Sequence, residues 1–434
     1  MKRIQVLVIM ILLSSLVLVL LYSTLTSERT FSHKALAQDL TETQTLRAHA
    51  PTAAADDGDD DDDDAVPTHP SKQDRVTSFL NVIDISVPAS FRKDIPHNRA
   101  YWNRLLHANL RQLDQGPYYI PTRGGGWSHC KEMNDGHLKT NVNDFTSYTD
   151  TYRDYLRGMN CRYPPVLIDQ PNKCISAGKP FLLFAIKSTL ANFEKRQAVR
   201  ETWGKEGLYE DGLSVSTLFL LGSSSLNDPD LKPLLQFEAK HYGDVLQWDF
   251  HESLFNLTIK LNAFLKWSAV NCPGASFVFS GDDDVFVNTP AILRYLQSLE
   301  PVKASQSYIG QVIADAGPHR DPKNKYYIPL SFYDGPYPPY TGGGGFVYSG
   351  ALLQPLYKAS RILPLFPIDD VYIGMCFKML GISPDKHEGF RTFDVKTEDR
   401  YNMCVQKELI LVHQRSPQQI KMLWTGIHSP LLMC

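Results

Sequence analysis

The chain has 434 residues, 43% of them hydrophobic and 21% charged, with a formal net charge of −3. That length suits one large or two ordinary domains with a sizeable core. The near-neutral balance argues against a nucleic-acid binder, which would carry a basic surplus.

Lys2 and Arg3 precede an uncharged stretch at 4–26 in which Leu, Val and Ile dominate. Its apolar core, Ile4 to Tyr22, is long enough to cross a thin bilayer as a helix. A cleaved signal peptide is the competing reading. The run exceeds the usual h-region, however, and no small-x-small site follows it directly. The basic pair predicts a cytoplasmic tail at 1–3, a signal anchor at 4–26 and a lumenal body. Residues 27–92 are rich in Ala, Thr, Ser, Asp and Pro and include the run Asp59 to Asp64. Like charges without spaced turn residues predict a self-repelling stem rather than a calcium buffer.

Seven cysteines, at 130, 161, 174, 272, 376, 404 and 434, lack paired Cys-x-x-Cys zinc spacing. In a lumenal body they predict disulfides and leave at least one thiol over. Proximity suggests Cys161–Cys174 and Cys404–Cys434. The sequon Asn256-Leu257-Thr258 is consistent with the secretory route.

Residues 93–179 are expected to be a lead-in packed on the main domain. Phe91 to Leu113 is aromatic and amphipathic, and Gly124 to Trp127 marks a loop. From about Pro180 short apolar runs alternate with amphipathic segments. Strands are predicted at Phe181–Ile186, Val215–Leu221, Val245–Phe250 and Phe277–Phe279. Helices are predicted at Phe193–Trp203, Pro229–His241 and Leu254–Val270. The alternation predicts an α/β catalytic domain at 180–434, with a mostly parallel sheet flanked by helices. Ligands then bind beyond the carboxyl ends of the strands.

The triplet Asp282, Asp283 and Asp284 stands at such an end. It offers hard oxygen ligands for Mg²⁺ or Mn²⁺, with open positions left for substrate phosphates. An acidic turn after a strand is the bland alternative. Lys187 follows the first strand, and Arg196 and Arg200 open the next helix, a cradle for a diphosphate or a uracil edge. Tyr337 and Tyr340 precede four glycines, including Gly343 and Gly344. This reads as a floor on which a sugar can stack and approach the backbone. Asp369 and Asp370 open a predicted helix. A carboxylate there is a cap or, in an inverting transferase, the base that deprotonates the attacking hydroxyl. Asp370 is the expected base, with Asp369 orienting the acceptor or capping the helix. His413, ending a short apolar strand, is a possible metal or pyrophosphate contact.

Together the stretches Arg196 to Gly204, Phe255 to Lys260, Asp282 to Asn288, Tyr337 to Phe346 and Asp369 to Gly374 resemble the Golgi β1,3-glycosyltransferase family. The resemblance runs from about Cys161 to Cys434. Four glycines before Phe346 and the segment Pro367 to Asp370 resemble its β1,3-N-acetylglucosaminyltransferase branch. Leu167 to Pro171, Ala316 to Asp321 and Gly389 to Asp394 resemble the enzyme that extends poly-N-acetyllactosamine chains. The family implies a GT-A fold, UDP-GlcNAc as donor, a divalent cation and a terminal β-galactose acceptor on a glycoprotein or glycolipid. By motif match Asp284 is the metal ligand, Asp282 a donor contact and Asp370 the base. The family also implies a Golgi single-pass type II membrane protein, with a second copy or other Golgi transferases as possible partners. Ser280 departs from relatives that carry Lys there. Two rivals stay open: a β1,3-galactosyltransferase, and a membrane-anchored lectin-like or inactive transferase partner.

Overall fold

The computed structural model describes residues 82–116, 118–119, 126–176, 178–224 and 229–434. The expected tail, the anchor, the acidic run and most of the stem lie outside the described residues, as do Gly124 and Gly125 of the predicted loop. Among the described residues no helix is long and apolar enough to cross a membrane. The last part of the expected stem is packed: Ile83 and Phe91 are fully buried, and Asp84 pairs with Lys358 at 2.6 Å. Here the composition has already turned apolar, and burial of two large side chains holds the segment against the body.

The central sheet has nine strands. Eight follow one path: Asp385–Lys386, Tyr308–Gly310, Gly345–Ser349, Phe277–Asp282, Leu182–Lys187, Ser214–Ser223, Val245–His251 and Val166–Ile168. The ninth, Gly207–Leu208, pairs antiparallel with Ser214–Ser223. Four central strands, from Phe277–Asp282 to Val245–His251, run parallel. Gly345–Ser349, Tyr308–Gly310 and Val166–Ile168 are antiparallel to their inner neighbours. The sheet is therefore mixed, with a parallel centre.

The parallel strands read as unbroken apolar runs because each feeds two cores. Leu182, Phe184 and Ile186 face one hydrophobic cluster, while Leu183 and Ala185 face the other. On the first face lie helices Phe193–Glu201, Lys232–Tyr242, Thr289–Gln297 and Pro417–Ile427. On the second lie Leu257–Asn271, Leu353–Ile362 and Asp369–Met379, together with Tyr101–Asp114 and Asp150–Met159 from the lead-in. The lead-in thus shares the main core.

Three disulfides tie the body together: Cys130–Cys161, Cys174–Cys272 and Cys404–Cys434. Cys376 remains a buried thiol. The expected Cys161–Cys174 pair is corrected. Cys161 follows helix Asp150–Met159, which packs beside Trp127–Asn141 and so meets Cys130. Cys174 instead meets Cys272 at the end of the long helix Leu257–Asn271.

A second sheet of three strands decides the site. Leu411–His413 lies between Phe390–Arg391 and Val285–Val287, and its register sets His413 opposite Val285. That places the imidazole beside Asp284.

Candidate active site

The parallel strands end together. Lys187 is in register with Asp282 on the neighbouring strand, and both open onto a cleft of about 580 Å³. Ligand atoms of Asp282, Asp284 and His413 lie within 4.8 Å of one another. The Nδ1 of His413 faces the Thr392 carbonyl at 3.0 Å, which can only accept, so Nδ1 carries a proton and the ring turns Nε2 toward Asp284. Nε2 lies 3.2 Å from Asp284 Oδ1 without the alignment of a hydrogen bond. Oδ1 is shielded from solvent and has no hydrogen-bond partner among the described residues. Burial opposes the charge of Asp284, but His413 and Lys195 hold its carboxyl below the usual range. Two carboxylates, one of them carrying the orphaned oxygen, and an imidazole fit a divalent cation.

Asp283, expected to face the donor, points away from the cleft. It accepts from Ser188 Oγ at 2.7 Å and Asn192 Nδ2 at 2.8 Å, and pairs with Lys195 at 3.2 Å. It ties the acidic turn to the loop after the first parallel strand. Arg196 and Arg200 also lie off the cleft, contrary to the expected diphosphate cradle. Arg196 is fully buried and bidentate with Glu238 at 2.8 and 2.7 Å. It also braces Ser188 Oγ at 3.1 Å. Arg200 is bidentate with Asp244 and pairs with Glu238 at 2.7 Å. A buried guanidinium must keep its carboxylates, which leaves neither arginine free for a ligand.

Lys187 joins the two acidic groups of the cleft. Its Nζ lies 3.0 Å from Asp282, 2.8 Å from Asp369 and 3.1 Å from the Gly343 carbonyl. Burial opposes its charge, but the two carboxylates more than offset that and raise its pKa. Asp369 and Asp370 open helix Asp369–Met379, and Asp370 Oδ1 accepts the N–H of Val371 at 2.8 Å. Burial and then Asp369 push the Asp370 carboxyl up to about 7, against the pull of Lys187 and two backbone N–H groups. A carboxylate poised near neutrality can take a proton from a hydroxyl.

The glycine run is where these parts meet. A Cβ at Gly342 would collide with Thr392 Oγ1. At Gly343 it would stand 3.3 Å from Asp370 Oδ2, and at Gly344 3.3 Å from the His413 ring. Three different segments therefore press on three successive glycines. Gly343 and Gly344 line the cleft, but their side-chain space is already taken by the protein's own groups. Tyr337 and Tyr340 form a buried wall, and the Tyr337 hydroxyl has no hydrogen-bond partner among the described residues.

Lys195, Thr392 and Phe393 were not among the expected site residues. The signal for the last two was present in the segment Gly389 to Asp394, whose resemblance was noted without a role. A separate hollow of about 540 Å³ beside Lys173, Glu206 and Leu208 holds none of these groups.

The cleft at the carboxyl edge of a mixed α/β sheet, with a cation-ready cluster beside a tuned carboxylate, is the layout of a glycosyltransferase. Residues 194–388 match the family model described as Galactosyltransferase. The chain is 46% identical over 349 residues to the N-acetyllactosaminide beta-1,3-N-acetylglucosaminyltransferase 2 of Mus musculus, covering 77% of this chain and 86% of that protein. The protein of the same name from Homo sapiens is 45% identical over 344 residues, with the same coverage. The human acetylgalactosaminyl-O-glycosyl-glycoprotein beta-1,3-N-acetylglucosaminyltransferase is 41% identical over 300 residues, 67% of this chain and 77% of that one. The chain belongs to the galactosyltransferase family, on its β1,3-N-acetylglucosaminyltransferase side.

Proposed function

We propose that the protein transfers N-acetylglucosamine from UDP-GlcNAc to the 3-hydroxyl of a terminal β-galactose, extending poly-N-acetyllactosamine-type glycans. One observation carries the reading: Asp370 lines one cleft with Asp282 and His413, which stand with Asp284 in a cation-sized cluster across the glycine run. The extensive identity to N-acetylglucosaminyltransferases supports the choice of donor and acceptor.

Asp282, Asp284 and His413 would hold the divalent cation, which supplies charge neutralisation for the departing diphosphate. Asp370 accepts the proton of the galactose 3-hydroxyl. That oxygen attacks C1 from the face opposite UDP, and the bond from C1 to the diphosphate oxygen breaks with its electron pair leaving on UDP. An α-linked donor gives a β1,3 product. Lys187 keeps Asp369 and Asp282 in place and balances their charge beside the base. The buried tyrosine wall excludes water and holds the acceptor.

On this proposal the sheet and cleft form a GT-A catalytic body, carried in the Golgi lumen by the 4–26 anchor and the stem. The test supplies the full-length protein in detergent with UDP-GlcNAc or UDP-galactose and a β-galactose-terminated acceptor, and identifies the new linkage by NMR. A β1,3-linked N-acetylglucosamine is expected. Preferential transfer of galactose would support the galactosyltransferase reading instead, and no transfer of either sugar would support the inactive-partner reading.

A further inference from the structure

Phe393 stands out among the residues that line the cleft. It is 70% exposed, whereas its neighbours in the chain are fixed. Before it, Phe390 is buried, and Thr392 gives both its N–H and its hydroxyl to Gln311 Oε1, at 2.7 and 2.9 Å. The Thr392 carbonyl takes the His413 Nδ1–H. After it, Asp394 adopts a left-handed φ of 71°. Its Oδ1 accepts from the Val395 N–H and from Arg415, each at 2.7 Å, and Arg400 pairs with Oδ2 at 3.0 Å. A turn pinned on both sides holds one large apolar ring at the cleft with most of its surface in solvent. Single exposed apolar side chains are common on protein surfaces, and what sets this one apart is its fixed place in the lining of the cleft.

The turn lines the same cleft as Asp370 and is fastened to His413 through the Thr392 carbonyl. Thr392 abuts Gly342, next to the glycine against Asp370 and two before the one against His413. The hydroxyl that Asp370 deprotonates belongs to the terminal sugar of the acceptor, so the rest of the glycan leads outward past the rim. Aromatic faces carry partial negative charge and attract the C–H groups on one face of a pyranose.

We propose that Phe393 is a stacking platform for the second sugar of the acceptor, the one behind the terminal galactose. The assignment makes it a determinant of preference for long acceptors, and it rests on the acceptor reading given above. The experiment compares full-length wild type with Phe393→Ala and Phe393→Trp, using a single-sugar methyl β-galactoside and a galactose-terminated N-acetyllactosamine oligomer. The expected result is a fall of about 3- to 10-fold in the ratio of kcat/KM for the oligomer to that for the single sugar in Phe393→Ala, regained in Phe393→Trp. A general loss of folding lowers both acceptors together and leaves the ratio unchanged, and an unchanged ratio overturns the proposal. A loss confined to the KM for UDP-GlcNAc also overturns it, assigning the ring to the donor. A wild type inert toward both galactosides overturns the acceptor reading and the proposal with it.

Discussion

Asp370 owes its raised pKa first to burial and then to Asp369. Below about 7 it is protonated and, as the proposed base, could not take the acceptor proton, so turnover should climb as pH rises through that value. Asp370→Asn should reduce turnover by ~10²–10⁴ while UDP-GlcNAc binding, followed by calorimetry, persists. The same shift predicts a stability effect. The unfolded carboxyl titrates near 3.8 and the folded one near 7, so between these values the folded state binds more protons and stability falls as pH rises. Asparagine removes that decline. Thermal melts should show the variant gaining on wild type across this window, and a variant that loses ground there would mean the burial cost is not borne by Asp370. At the proposed cation cluster, Asp284→Ala removes the carboxylate that carries the orphaned oxygen. Mn²⁺ binding measured without any substrate should weaken strongly, and activity should drop by several kcal/mol of transition-state stabilisation. Wild-type Mn²⁺ affinity in this variant would disprove the assigned ligand set.

At the scale of elements, the glycine run is a joint rather than a flexible loop. Each glycine should fail in its own way when given a Cβ. Gly342→Ala must displace the Thr392 turn, and Gly344→Ala crowds His413. Overpacking of this kind costs about 1–3 kcal/mol. Acceptor KM should suffer most in Gly342→Ala, and Mn²⁺ affinity most in Gly344→Ala. Equal damage to both readouts in both variants would show a single rigid floor instead. The parallel strands were legible because burial on both faces leaves continuous apolar runs such as Leu182–Ile186. The antiparallel partner Gly345–Ser349 was half-read, as a β-rich run after glycines. Its place beside Phe277–Asp282 depends on pairing between distant segments, which no local pattern encodes.

The whole molecule bears on the sequon. Asn256 is 1% exposed, and its Nδ2 donates to Asp154 at 3.2 Å and to the His251 carbonyl at 2.8 Å. Thr258 donates to the Phe366 carbonyl at 2.6 Å. Both polar residues of the sequon serve the fold, and an attached glycan would have no room. Intact mass of protein secreted or extracted from cells should show Asn256 unmodified. A glycan there on active protein would be incompatible with this packing. The disulfides show the same dependence on the assembled molecule. Proximity in sequence picked Cys404–Cys434 correctly but missed Cys174–Cys272, which spans 98 residues.

By itself the sequence determined the alternation of strands and helices, the acidic triplet at a strand end, and the Asp369–Asp370 pair at a helix start. These are local properties, written in periodicity, turn chemistry and residue type. It also carried the family, because the motifs fall in order along one stretch. Only the tertiary structure decided which charges face the cleft. Arg196, Arg200 and Asp283 looked like ligand contacts by residue type, yet each is spent on a buried partner that lies far along the chain or across the turn. Lys187 looked like one cation among several, and it proved to be the one bridging Asp282 and Asp369. His413 reached Asp284 through strand register alone. A charged side chain in a sequence has no direction. Folding gives it one, because burial forces every charge either to find a partner or to face the solvent-filled cleft.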